Sequence, residues 1–425
     1  MSTVLPADHP LRGQLNDEVH ARPPDALEVP ARVSYLALLS DAAQRAAALR
    51  AVDALAVRFD APRPSADANH HSADFGPFRL KWERHSEFVR YSFVVLGQGD
   101  ETALSAVPAD WVAALPGQLV VGCHLTLACA PPGDPVEAAS CLFHRDQMVG
   151  SAIAGGAAAA FADFRIRASG FERMLVQDRG MTPWQAGRLV QALLEMDTYR
   201  MMALLALPVA QALAPVIGRR EKELAEITAA MVTAGEADEP LLLERLTRLA
   251  AEIDSGVADN LYRFNAAAAY YALVRRRIDD LRETRLDGLQ TWQEFTERRL
   301  APAMNTCEAV SGRQEDLSRR VARATQLLAT RVGVTRERQS QALLAAMNRR
   351  VRLQLRLQST VEGLSVAAVT YYIVGLVGYA AKGAESAGVR LDPAVVVAVA
   401  VPVVAGIMFL GLRRLRRHLH DADGP

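Results

Sequence analysis

The residues best equipped for chemistry are gathered near the start of the sequence, in Asp8-His9-Pro10-Leu11-Arg12 and Asn16-Asp17-Glu18-Val19-His20-Ala21-Arg22-Pro23-Pro24. Two imidazoles, several carboxylates and two guanidinium groups within about 15 positions form a donor set for a metal ion or an anionic ligand. His9, Arg12, Asp17, Glu18, His20 and Arg22 are therefore the candidate ligand-binding residues. The alternative is a terminal strap whose polar groups tie it to a domain surface. A hydrolase or metal enzyme using His9, Asp17, Glu18 and His20 is the enzymatic reading, yet no complete catalytic constellation accompanies them and no catalytic residue is assigned.

Other groups invite chemistry and lose it on spacing. Cys123, His124, Cys129, Cys141 and His144 suggest zinc, but Cys123, Leu125, Leu127 and Cys129 alternate as one strand face, which puts the two thiols ~20 Å apart at ~3.3 Å per residue. Buried free cysteines and no metal site are expected. His70-His71 is read as part of a polar loop. Gly150 to Gly156 (GSAIAGG) lacks the Lys-Ser/Thr of a phosphate-binding loop and is read as a bend between strands. Arg275, Arg276 and Arg277 and the pair Arg298-Arg299 alternate with Asp279, Asp280, Glu283, Glu294 and Glu297 at helical spacing, which is a salt-bridged face rather than a nucleic-acid patch.

The elements that must carry these residues differ along the chain. Residues 1–178 hold short apolar runs separated by Pro and Gly. Arg32 to Leu39 reads as a strand, Asp41 to Phe59 as a helix capped by Asp41, and Phe78 to Trp82 with Phe88 to Leu96 as a hairpin turning at His85 to Glu87. Leu119 to Cys129, Ser140 to Val149, Ala157 to Ile166 and Phe171 to Gln177 are further strands. The expected fold class is α+β, with an antiparallel or mixed sheet in this domain.

Residues 179–360 are rich in Leu, Ala, Arg, Glu and Gln and read as a helical, coiled-coil-like stalk. Thr182-Pro183-Trp184-Gln185 starts one helix, and GEADEP at 235–240 separates two others. From Pro302 onward Val310, Val321, Val332 and Leu343 recur every 11 residues, and Leu317 and Leu328 share that spacing, the repeat of a nearly straight bundle, so preceding helices are expected to fold back along this one and further copies to cover the remainder.

Residues 361–412 carry the apolar excess. Gly363 to Ala381 is uncharged over about 19 residues, ~28 Å of helix and close to the thickness of a bilayer's hydrocarbon; Pro393 to Leu412 is a second such stretch. Two spans joined by a short loop are expected, with small residues such as Gly378 and Ala398 allowing close approach. Arg349, Arg350, Arg352 and Arg356 precede the first span; Arg413, Arg414, Arg416 and Arg417, in a basic tail at 413–425, follow the second. They are expected at lipid headgroups, placing both termini in the cytoplasm. Ser365, Thr370, Tyr371 and Tyr372 are the hydroxyls available to line a pore if several copies assemble.

Composition limits the functions. The 425 residues include 48 Lys+Arg and 48 Asp+Glu, with 50% hydrophobic residues, which excludes a disordered tail and a protein that coats nucleic acid. Four cysteines make no disulfide framework, and no secretory signal is read at the amino terminus.

Several long runs, among them HPLRGQLNDEVHARPP, FRLKWERHSEF, DFRIRASGFERMLVQDRGMTPWQAGRLVQALLEMDTYRMMALLALPVA and QSTVEGLSVAAVTYYIVGLVGYAAKG, resemble a bacterial family of membrane-anchored proteins filed as a domain of unknown function, number three-four-two-two. The resemblance spans nearly the whole chain and implies a location in the bacterial inner membrane; it brings no activity, cofactor or site residue. The layout is also similar to CorA-type cation channels, although Val377-Gly378-Tyr379-Ala380-Ala381-Lys382 lacks their Gly-Met-Asn filter. The leading expectation is an oligomeric, membrane-anchored cytoplasmic binding or scaffold protein in contact with lipids. An ion channel without the usual filter is second, and the metal enzyme third. The cofactor and the protein or ion partner are unknown at this stage.

Overall fold

The computed structural model describes residues 8–13, 15–16, 23–386 and 392–422, with side chains beyond residue 411 described only at Arg414. The chain divides into one unit of Met1–Ala234 with Leu241–Thr325, and a second of Gly235–Pro240 with Gln326–Pro425.

The first unit is built on a nine-stranded sheet. In chain order come β1 (Ala31–Leu39), α1 (Ala42–Arg58), β2 (His70–Asp74), β3 (Arg79–Arg84), β4 (Phe88–Leu96), α2 (Ala109–Ala113), β5 (Gln118–Cys129), α3 (Pro135–Ala139), β6 (Val149–Ile153), β7 (Ala158–Ala162) and β8 (Glu172–Asp178). The helices α4 (Pro183–Leu204), α5 (Ala206–Thr233) and α6 (Glu239–Leu281) follow, then β9 (Thr284–Arg285), α7 (Trp292–Arg299), α8 (Ala301–Ser386) and α9 (Pro393–Ala422). The sheet order is β2-β3-β4-β1-β5-β8-β7-β6-β9, antiparallel throughout except for the parallel pair β5 and β8. It is therefore an α+β fold with a mixed sheet.

Alternation along the strands decides what each face packs against. Leu36 and Leu38 of β1, Leu80 and Trp82 of β3, and Tyr91 and Phe93 of β4 join Val52 and Leu55 of α1 in one core. Asp41 caps α1 through a reciprocal box with Gln44, satisfying donors that the first turn leaves open. Phe59, Phe75, Phe78 and Phe93 meet edge-on or stacked at 5.2–6.0 Å. On the other face Tyr35 of β1 is fully buried and its hydroxyl lies 2.7 Å from that of Thr198 on α4. The capping box of Thr182 with Gln185, and Pro183 at the first turn, start α4 where the sequence places it.

Some expected elements change. Ser140 to Val149 is a strand only at its last residue, where β6 begins: Ser140 follows the end of α3 at Ala139, and a turn and a 3-10 turn at Arg145–Gln147 take the rest of the segment. His70-His71 belongs to β2, an edge strand, rather than to a loop. Gly150 to Ile153 lies within β6, and the bend is confined to Ala154–Gly156. β7 stops at Ala162, ahead of the left-handed Phe164. Cys123 is buried as expected, whereas Cys129 and Cys141 are exposed.

Within the first unit, α5, α6 and the opening of α8 lie side by side, as the expected folding back requires. Arg313 of α8 pairs with Glu221 of α5 at 2.7 Å, Arg220 of α5 with Glu252 of α6, and the Ser318 hydroxyl donates to Asp254 of α6 at 2.8 Å. The buried positions of α8 here are Met304, Cys307, Val310, Gln314, Leu317 and Val321. Val310 and Val321 of the expected 11-residue row are buried, as are Leu317 and, further on, Leu328, with steps of three and four residues between successive buried positions up to Val321; the row's later member Leu343 is 64% exposed.

The second unit holds the remainder of α8 with α9. Gly378 of α8 comes so close to α9 that a Cβ there would lie 3.1 Å from Val397. Three helical segments are long and apolar enough to cross a membrane, Pro183–Thr233, Trp292–Ser386 and Pro393–Gly411, where the sequence reading counted two. The additional one, α4 with α5, lies in the stretch expected as stalk; its uncharged run between Arg200 and Arg219 contains Pro208 and Pro215.

Candidate functional site

Of the candidate residues near the start of the chain, His9 and Arg12 are described and exposed. The His9 Nδ1 accepts the Leu11 amide at 3.2 Å and Arg12 pairs with Asp8, so both are engaged locally. Asp17, Glu18, His20 and Arg22 lie outside the described residues.

The segment that follows, residues 23–28, is a strap across the sheet and α4. The Pro23 carbonyl accepts from the Lys81 ammonium at 2.5 Å, Asp25 accepts from the Ser72 hydroxyl at 2.9 Å, and the Ala26 carbonyl accepts from Arg79 at 2.9 Å. The Leu27 amide donates to the Pro183 carbonyl at 3.0 Å. The crossing needs a glycine: a Cβ at Gly187 would stand 1.8 Å from the Asp25 carbonyl oxygen.

The strap crosses a line of charged groups that runs from the sheet to α6. Glu83 and Arg90 are directly opposed on β3 and β4, on the face away from Leu80 and Trp82, and form an ion pair with both side chains buried. Arg90 reaches on to Glu195 of α4 at 3.0 Å, and the other oxygen of Glu195 accepts from Arg277 of α6 at 2.7 Å. Gln191, one turn before Glu195, donates to it at 2.8 Å and accepts from Lys81 at 3.1 Å. Arg277 also pairs with Asp280 at 3.0 Å. Burial pushes the carboxyls of Glu83 and Glu195 up, but Arg90, joined by Arg277 at Glu195, outweighs it and both sit below the usual carboxylate range. Burial lowers Lys81 and raises the Tyr35 phenol, so that phenol stays protonated.

Where this line reaches the surface a cavity of about 410 Å³ opens, walled by Pro24, Arg188, Glu195, Arg277, Asp280 and Arg282 among others. Its size falls within the range of small-molecule pockets. Two wall residues, Ala154 and Arg282, are held in the left-handed region at φ 54° and 47°. A non-glycine backbone held there by its surroundings is a feature that concentrates at binding sites.

A second buried set lies between β8 and α4. Arg200 donates to Asp197 at 2.5 Å and to Glu172 at 3.2 Å, and its guanidinium lies 4.8 Å from the centre of the Phe164 ring. Burial, reinforced by Asp197, pushes the Glu172 carboxyl up to about 7. Cys123, opposite Glu172 in the parallel pair, is raised by burial and remains a thiol at neutral pH.

With both sets in place, the match of a family model to residues 7–419, nearly the whole chain, decides the relationship. The chain belongs to the family described as "Protein of unknown function (DUF3422)". No curated protein and no solved structure matches it, and nothing in these comparisons supports the CorA-type likeness. Family membership assigns no chemistry to Arg90, Glu195 or Arg277. Nor did the sequence reading find these three as a site, because Arg90 sits in FVRYSFVVL and Glu195 in LVQALLEMD, 105 residues apart, with no local pattern joining them. Charge placed inside each apolar run was the available signal.

The remaining candidates lie on α8 and α9. Arg349, Arg350, Arg352, Arg356 and Arg414 are exposed; the side chains of Arg413, Arg416 and Arg417 lie outside the described residues. Tyr371 and Tyr372 are 77% and 71% exposed and border a groove between the two helices, together with Tyr379, Asp392 and Val397. Ser365 does not border it and donates to the Val361 carbonyl at 2.9 Å; Thr370 is half-buried.

Proposed function

We propose that this is an integral membrane protein whose carboxyl-terminal helices anchor an α+β binding module on the cytoplasmic side. The observation that carries the reading is the surface of the second unit. Leu364, Leu376 and Tyr379 of α8 and Val399, Ile407 and Phe409 of α9 are between 59% and 77% exposed, on stretches without a charge over about 19 and 20 residues. Soluble surfaces rarely leave apolar side chains contiguous over that length, whereas hydrocarbon is their natural solvent.

The third apolar segment is of another kind. α4 buries Glu195, Asp197 and Arg200 in ion pairs, and between Arg200 and Arg219 no large hydrophobic residue is exposed. We assign it to the core of the first unit. The arginines that flank the two remaining spans favour a cytoplasmic location for both ends. Leu343, Met347, Val351 and Leu355 form an exposed row at i, i+4 spacing ahead of the first span and support self-association of this helix outside the membrane.

The test is fractionation with topology. The intact protein is expected to sediment with membranes through alkaline carbonate, to enter solution only with detergent, and to carry tags at both ends that are inaccessible from outside the cell. Release into the soluble fraction, or a tag reached from outside, overturns the reading.

A further inference from the structure

The first-unit cavity holds a charge imbalance that internal pairing does not remove. Among its wall residues are three arginines, Arg188, Arg277 and Arg282, and two carboxylates, Glu195 and Asp280. Both carboxylates are already engaged: Glu195 accepts from Arg90, Gln191 and Arg277, and Asp280 accepts from Arg277. Arg188 and Arg282 are exposed and have no ion-pair partner among the described residues. Arg277 is held on two sides, through Nε by Glu195 and through Nη1 by Asp280, so its remaining Nη2 is presented from a fixed guanidinium.

A structural role accounts for the buried part of the line, where each cation has its anion. It does not account for two further arginines on the walls of the same cavity. Arginines brought together repel unless an anion lies between them, and planar guanidinium groups match the oxygens of phosphate and carboxylate. Holding Arg277 in advance reduces the ordering cost of binding. The backbone at Arg282 is fixed as well: it directly follows α6 in the left-handed conformation, with its amide bonded back to the Asp279 carbonyl at 3.1 Å.

We propose that this cavity binds a small anionic molecule, recognised through phosphate or carboxylate oxygens by Arg188, Arg277 and Arg282. The proposal rests on the reading of the first unit as a binding module and is independent of the membrane anchor.

The experiment is calorimetric titration of the purified full chain in detergent with inorganic phosphate, pyrophosphate and citrate. Saturable binding of at least one of them is expected, at one site per chain and weakening as salt is raised from about 50 to about 500 mM. Arg188→Ala combined with Arg282→Ala is expected to weaken that binding about tenfold or more, with unchanged circular dichroism and Tm because both side chains are exposed. Arg58→Ala, on α1, is expected to bind like the parent chain. Absence of saturable binding for all three probes at millimolar concentration overturns the proposal. So does an affinity that the double variant leaves unchanged. A protein that fails the fractionation test yet binds a probe at these arginines refutes the anchor and leaves this site standing.

Discussion

The two units place the same kinds of side chain in opposite surroundings. In the first, Trp82, Tyr91, Phe93 and Phe161 are fully covered, and even charged residues are taken inside, Arg90 with Glu83 and Glu195, Arg200 with Asp197 and Glu172. In the second, Tyr371, Tyr372, Leu376 and Phe409 are on the surface, and their stretches contain no charge. A buried ion network needs partners supplied by distant parts of the chain, so it tells of a fold specified in detail. An uncovered apolar stretch needs only a different solvent. The contrast separates a unit that completes its own interior from one whose surface is suited to lipid.

The largest expected effect tests the interior. Arg90→Met removes the cation between Glu83 and Glu195 and leaves these buried carboxylates with only Lys81, 3.8 Å from Glu83, and Arg277 beside Glu195 to compensate them, which should cost about 3–5 kcal/mol. Urea unfolding followed by tryptophan fluorescence measures it. Adding Glu83→Gln and Glu195→Gln should recover most of the loss, because neutral amides tolerate burial that unpaired charges do not. A single-variant loss below about 1 kcal/mol would mean that water reaches the pair and that this interior is less closed than its burial suggests.

The next effect tests the other side of the comparison. Leu376→Arg places a charge in the middle of the first span, at a cost of about 2.5–3.5 kcal/mol if that position lies in hydrocarbon. The fraction resisting carbonate extraction should fall while unfolding of the first unit is unchanged. Val232→Arg, at a position 83% exposed on α5, should leave both measurements as they were. Equal behaviour of the two variants would erase the distinction between lipid-facing and water-facing apolar surface.

Local signals revealed what local chemistry decides. Asp41 with Gln44 and Thr182 with Gln185 mark helix starts because a cap and its partner are three residues apart, and the apolar strands β1, β4 and β5 reveal themselves by composition and alternation. β2 stayed hidden because HHSAD has no apolar alternation and only its pairing with β3 makes it a strand. Ser140 to Val149 misled because Phe143 and Met148 are buried in a core cluster from turns and a 3-10 turn, not from one face of a sheet. The candidate cavity was illegible for a related reason. Arg188 and Arg282 come from the start of α4 and the end of α6, and only the tertiary fold brings them to one opening.

The smallest expected effect concerns a proton inside the first unit. Glu172 ordinarily loses its proton near 4.5, but burial and the neighbouring Asp197 raise the carboxyl to about 7 in the folded chain. Between those values the folded state binds more protons than the unfolded state, so this group's contribution makes stability decline as pH rises from about 4.5 to about 7, with the full penalty above that. Glu172→Gln cannot ionise, and its amide oxygen still accepts from Arg200. Its Tm relative to the parent chain should therefore be more favourable at pH 8 than at pH 5. Differential scanning calorimetry at the two pH values reads the difference directly. The opposite trend would mean that Arg200 outweighs burial and that the Glu172, Asp197 and Arg200 set behaves like the fully compensated line around Arg90.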